Sequence, residues 1–251
     1  MSTIHITLFF LSVLRLHILL FLITKIKLFN FINKLFFLHI IDNFLSSSTD
    51  NLLDDFNFSD DNYYIYNNCF EKKKALKTLP DNSRKVLDFL NSENFLEKLK
   101  NLTGIINLEI DPTFHGSGLH LYENGSFLTK HLDYSINPNT GKQRRLNIIL
   151  YLNDWDEAWG GALELYDIES KKITQKIYPK KNRAVIFETN DFSLHGVEKI
   201  NCPPNIQRQI LTCFYVSEPE KNVTVRHKAL FFPEDQSLNE LALKRSVQLL
   251  Q

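Results

Sequence analysis

From residue 118 onward, apolar residues recur with a period of two in short runs broken by turn formers: 118–122, 127–134, 146–152, 162–166, 174–178, 183–188, 196–200 and 208–216. Alternating side chains on a pleated strand point to opposite faces, so each run reads as a strand with one face turned inward. Eight such strands predict a sandwich or barrel. Asn124-Gly125 between the first two runs predicts a tight hairpin with a primed turn. Ahead of the strands, residues 80–100 carry apolar positions at helical spacing: Val86, Leu87 and Leu90, then Phe95, Leu96 and Leu99. They predict two short amphipathic helices, with Ser92 as the N-cap of the second.

Polar residues inside these strands carry the chemistry. His131 and Asp133 stand two apart in Phe127-Leu-Thr-Lys-His-Leu-Asp-Tyr134 and so share a strand face, while His195 comes from a distant strand. Two imidazoles and one carboxylate on one side of a metal leave the other side open, which is the arrangement of non-haem Fe(II) oxygenases. In Arg208-Gln-Ile-Leu-Thr-Cys-Phe-Tyr-Val216, Arg208 and Thr212 also share a face of an otherwise apolar strand. A buried guanidinium needs an anion, and its fork with a hydroxyl nearby suits a carboxylate. Beside an Fe(II) site, the implied carboxylate is the distal end of 2-oxoglutarate.

Tyr122-Glu-Asn-Gly125, His131-Leu-Asp133, Leu150-Tyr-Leu-Asn153, Trp159-Gly-Gly-Ala-Leu163, His195 and Arg208, in this order, resemble the 2-oxoglutarate/Fe(II) dioxygenases of the prolyl 4-hydroxylase type. Outside this set, Phe36-Phe-Leu-His-Ile-Ile-Asp-Asn-Phe-Leu45 is similar to the opening strand of that family. Phe70-Glu-Lys-Lys-Lys-Ala75 and Asn101-Leu-Thr-Gly-Ile105 are similar to its helical N-terminal half. The resemblance implies a mainly β fold with N-terminal helices, a double-stranded β-helix or jelly roll. It implies that His131, Asp133 and His195 ligate Fe(II), and that Tyr151 and Arg208 hold the distal carboxylate of 2-oxoglutarate, with Thr212 and Tyr122 lining the same pocket. It also implies ascorbate as the reductant of iron oxidised in unproductive cycles, and hydroxylation of a C–H bond, foremost of a peptidyl proline, with release of succinate and CO2. Asp133 favours hydroxylation over halogenation, because halogenases of this type replace the carboxylate with a small residue.

Three rival readings share these residues: a hydroxylase of a small metabolite or glycan, a zinc or manganese cupin-like hydrolase or isomerase, and an inactive metal-binding scaffold. The hydrolase gives Arg208 and Thr212 no task. The scaffold predicts no turnover of 2-oxoglutarate. Taken singly, Gly160-Gly161 is a turn, Trp155 and Trp159 belong equally to core or substrate rim, Arg144-Arg145 is a solvated edge, and His115 and His120 are spare. The loop Ile136-Asn-Pro-Asn-Thr-Gly-Lys142 directly follows the first two ligands and is expected to cover substrate.

The remaining sequence sets the boundaries. With 29 basic and 29 acidic residues the chain is neutral, which gives no field for nucleic acid. Cys69, Cys202 and Cys213 form no metal-type spacing, so the chain reads as cytoplasmic with reduced thiols. Residues 1–34 form a hydrophobic extension whose apolar run at 4–24 is long enough to cross a bilayer, at ~20 residues. Arg15 near its middle opposes crossing by about 2.5–3.5 kcal/mol. The extension is thus a candidate membrane anchor or tether, with a cleaved targeting segment and a peripheral hydrophobic extension as alternatives. Residues 35–217 are expected to form the dioxygenase domain, helical to about 105 with the β-helix core at about 116–217. Residues 46–67 read as a polar, acidic surface loop with a short strand, and 218–251 form a tail that either packs on the core or stays free.

Overall fold

A computed structural model describes residues 37–46 and 62–247. The expected membrane anchor and the acidic pairs Asp54-Asp55 and Asp60-Asp61 lie outside the described residues. No helix among those described is long and apolar enough to cross a membrane.

Among the described residues thirteen strands join into one curled antiparallel sheet. Ten run in the order β1-β10-β7-β12-β5-β3-β6-β11-β8-β9, with β8 at Leu163–Tyr166 and β9 at Ile173–Ile177, while β2 (Tyr63–Asn67) pairs with β3, β4 (Glu109–Ile110) with β12 and β13 with β6. The strands that build the site are β3 (Glu71–Leu76), β5 (Gly118–Tyr122), β6 (Phe127–Leu132), β7 (Gln143–Tyr151), β11 (His195–Val197) and β12 (Arg208–Ser217). β1 (Leu38–Ile41), the expected opening strand, pairs with β10 (Ala184–Glu188). The predicted helices are present as α1 (Asp81–Leu90) and α2 (Glu93–Thr103). Ser92 caps α2 by accepting from the Phe95 amide at 3.3 Å, and Gly104 ends it in the left-handed conformation at φ 76°.

The pleat sorts β5, β7 and β12 into two buried faces. Leu119, Leu121, Leu146, Ile148, Leu150 and Leu211 join a core with Leu90, Leu96 and Leu99 of the helices. On the other face, His120, Tyr122, Asn147, Ile149, Arg208 and Thr212 line an inner cavity. All nine residues of β7 are buried as a result.

Two expectations are corrected here. Residues 71–76 form strand β3 and no helix, and β3 inserts between β5 and β6, pairing with both. The Asn124-Gly125 turn does form, since the Ser126 amide donates to the Glu123 carbonyl at 2.9 Å. It is not a primed hairpin turn, because only Gly125, at φ 75°, has a positive φ. The strands it joins do not pair with each other, since β3 lies between them. The C-terminal segment packs on the core: β13 (Leu230–Phe231) pairs with β6, and Arg245 of α3 (Asn239–Val247) donates to Glu71 at 2.8 Å.

Candidate active site

Antiparallel pairing of β11 with β6 sets His195 directly opposite His131, with ring centroids 4.4 Å apart. Gly196 permits this approach, since a Cβ there would stand 2.8 Å from the Leu128 carbonyl oxygen. The two rings are oriented alike: His131 Nδ1 lies 2.9 Å from the Thr129 carbonyl and His195 Nδ1 2.7 Å from the Ser193 carbonyl. A carbonyl can only accept, so the proton sits on Nδ1 and each Nε2 keeps its lone pair. Both Nε2 atoms face Asp133, at 3.6 Å from Oδ1 for His131 and 3.9 Å from Oδ2 for His195.

Burial, with His131 close by, lowers His195 to about 4, leaving it neutral at physiological pH. Burial alone would raise the Asp133 carboxyl, but the cationic Arg144 at 3.7 Å holds it well below the usual carboxylate range. Asp133 Oδ2 is buried without a hydrogen-bond partner. The three ligand atoms lie within 4.8 Å of one another, and this is the one such cluster among the described residues. Two imidazoles aimed through Nε2 and an anionic carboxylate with an orphaned oxygen fit a divalent iron.

The inner cavity, about 80 Å³, runs from this triad to Arg208. Arg208 is completely buried; its Nη2 reaches the Tyr151 hydroxyl at 3.4 Å, while Nε and Nη1 have no partner. Tyr122 and Tyr151 flank the guanidinium, with ring centroids 4.9 and 5.1 Å from Cζ. Tyr122 and Thr212 line the cavity, whereas Tyr151 stands beside Arg208 outside the lining. Thr212 Oγ1 donates to Asn147 Oδ1 at 2.7 Å. Unpaired donors on a buried arginine are costly unless an anion meets them, and a cavity leads to these.

Gly160-Gly161 is more than a turn. Gly161 has φ +74°, and a Cβ there would lie 3.0 Å from Ile200 Cγ1 and 3.3 Å from Arg208 Cδ. Gly161→Ala should therefore lower stability by about 1–3 kcal/mol through backbone strain and raise the 2-oxoglutarate requirement by displacing Arg208. Thermal unfolding together with a 2-oxoglutarate titration checks this; an unchanged midpoint and titration would show that Arg208 does not depend on the glycine.

Arg144 and Arg145 are buried, against expectation. Arg144 Cζ lies 3.4 Å from the Tyr134 ring and 3.3 Å from that of Phe214, Nη2 donates to the His115 carbonyl at 2.9 Å, and Nη1 faces Asp133 at 3.7 Å. Arg145 meets Glu220 at 2.9 Å. The sequence does not single out Arg144, Asn147 or Lys73, because Arg144 sits in a pair that reads as an edge, Asn147 in a plain strand, and Lys73 in a segment that reads as helical. His120 is no second ligand: burial, then Lys73 and Arg208, lower it to about 3, so it lines the cavity as a neutral ring. The 136–142 loop is tied down, since Asn137 Nδ2 donates to Asp111 at 2.8 Å and the Asn137 amide to the Lys142 carbonyl at 2.8 Å. It is therefore not a free flap.

A curled antiparallel sheet thus carries two histidines and an aspartate that could hold a divalent metal, beside a buried arginine. Residues 117–216 match the 2OG-Fe(II) oxygenase superfamily, and the fold is that of prolyl 4-hydroxylases. A Pseudomonas putida prolyl-4-hydroxylase shares 17% identity over 73% of this chain and 93% of its own, with a TM-score of 0.51. A Trichoplax adhaerens prolyl hydroxylase, in complex with a hypoxia inducible factor oxygen degradation domain peptide fragment, shares 20% identity over 72% of this chain and 83% of its own, with a TM-score of 0.53.

Proposed function

We propose that this chain hydroxylates a prolyl residue within a polypeptide, converting 2-oxoglutarate to succinate and CO2 as it does so. The observation that carries the reading is the single cavity joining the triad to the unpaired Arg208 donors. His131, Asp133 and His195 would hold Fe(II). Arg208 would receive the distal carboxylate, with Tyr151 buttressing the guanidinium and Tyr122 and Thr212 on the cavity wall. Bound together, Fe(II) and 2-oxoglutarate supply the activation of O2 for attack on a C–H bond. The chain's own work is to place that bond and keep water out.

A wider cleft of about 920 Å³ also opens on His131 and Asp133, between β3 and the C-terminal segment. Its size suits an extended segment better than a free amino acid. Ascorbate is the reductant this reading calls on, and a cytoplasmic location is the one it assumes.

The test incubates the protein with Fe(II), 2-oxoglutarate and ascorbate, against proline-containing peptide pools and free proline. Gain of one oxygen atom on peptides, with succinate formed in step, is expected. Oxidation confined to free amino acids, sugars or other small molecules would move the assignment to the metabolite or glycan hydroxylase.

A further inference from the structure

The chain as a whole is neutral, but the wide cleft is not. Of its charged lining, Arg144 and Asp133 offset one another at 3.7 Å. Four cations remain, Lys73, Lys228, Lys244 and Arg245, against one carboxylate, Glu71. Glu71 is shared between Lys73 at 3.4 Å and Arg245 at 2.8 Å. Lys244 is met from outside the lining by Glu240 at 2.6 Å. No carboxylate among the described residues lies within 4.0 Å of the Lys228 ammonium, and that residue is half-buried. Lys73, Arg245 and Lys228 against Glu71 leave an excess of two positive charges on the wall, and Fe(II) with a 2-oxoglutarate dianion adds none.

The placement of these groups matters as much as their sum. Lys73 lines both the inner cavity and the outer cleft, so it stands where the two meet. Lys228 and Arg245 face it from the C-terminal segment, held there by β13 on β6. A concave surface of one sign concentrates its field and selects ligands of the opposite sign. Stacking platforms for bases are few: Phe70, Phe214 and Phe231 in the lining are only 2%, 6% and 3% exposed, Arg144 covers the Tyr134 ring, and the exposed Tyr66 ring is approached by Lys73 at 5.2 Å. The chemistry points to carboxylates on a polypeptide.

We infer that the polypeptide taken by this cleft carries acidic residues beside its hydroxylated proline, and that Lys73, Lys228 and Arg245 recognise them. This rests on the polypeptide reading above. It also gives the C-terminal segment a task, since two of the three cations come from it.

The full chain, loaded anaerobically with Fe(II) and 2-oxoglutarate, is titrated into fluorescent peptides of equal length centred on proline and flanked by Asp/Glu, Ser/Gln or Lys/Arg. Anisotropy at low and high salt reads binding, and mass spectrometry after admission of air reads hydroxylation. The acidic peptide should bind about tenfold or more tighter than the basic one at low salt, with the gap narrowing as salt rises. Lys228→Glu should weaken the acidic peptide about tenfold, and the salt series on the unaltered chain reads the same charge preference should the variant fold poorly. Equal binding of the three peptides, or none, overturns the inference. Acidic selectivity without hydroxylation upholds it and removes the prolyl reading; hydroxylation without charge preference does the reverse. A single-stranded oligonucleotide bound more tightly than the acidic peptide overturns the choice of a polypeptide.

Discussion

His131→Ala, Asp133→Ala and His195→Ala are each expected to lose stoichiometric Fe(II), and with it at least about a hundredfold of any 2-oxoglutarate turnover. The reason is geometric. Three ligands from β6, the residue following its end, and β11 converge only because His131 and His195 sit opposite one another. Removing any one leaves two donors, too few to hold the ion against water. The variants differ in a second respect. Asp133 also opposes the buried Arg144 at 3.7 Å, so Asp133→Ala leaves a guanidinium uncompensated and should cost a further ~3–5 kcal/mol of stability. The histidine replacements carry no such charge penalty. Anaerobic Fe(II) titration and thermal unfolding of the three variants, side by side, check both points. Full iron occupancy in all three would end the triad assignment.

Arg208→Ala is expected to raise the 2-oxoglutarate requirement at least about tenfold while Fe(II) stays bound, because charge-assisted hydrogen bonds to a carboxylate are worth about 1.5–3 kcal/mol. Arg208 is completely buried and has two unpartnered donor nitrogens, so little else in its surroundings competes for the anion. Arg208→Lys should recover part of the loss, since a lysine keeps the charge without the fork. The measurement is the dependence of succinate formation on 2-oxoglutarate, with iron content as the companion reading. An unchanged dependence would place the co-substrate elsewhere or make it a different molecule.

Much of this molecule is legible in one dimension because the strand period is short. Period-two alternation separates Arg208 and Thr212 from Leu211 and Cys213, and His131 from Leu132, without any knowledge of partners. Helical spacing and Ser92 place α1 and α2 in the same way. What failed had a common cause. Arg144-Arg145 looks like a solvated edge because two adjacent charges usually are, but β7 is covered on both faces and Arg144 finds its place between two rings. Asn124-Gly125 has the composition of a primed hairpin, yet the insertion of β3 decides that its strands part.

By itself, then, the sequence determined the alternation, the two helices, and the shared strand faces of His131 with Asp133 and of Arg208 with Thr212, all of which depend on neighbours a few residues away. Only the tertiary structure decided which strand lies beside which. That choice put His195 opposite His131, brought Lys73 to the junction of cavity and cleft, paired Asn147 with Thr212, and laid the C-terminal segment along β6. These are contacts between residues tens to more than a hundred positions apart. Local propensity carries no record of them, because they are set by how the curled sheet closes on its own buried face.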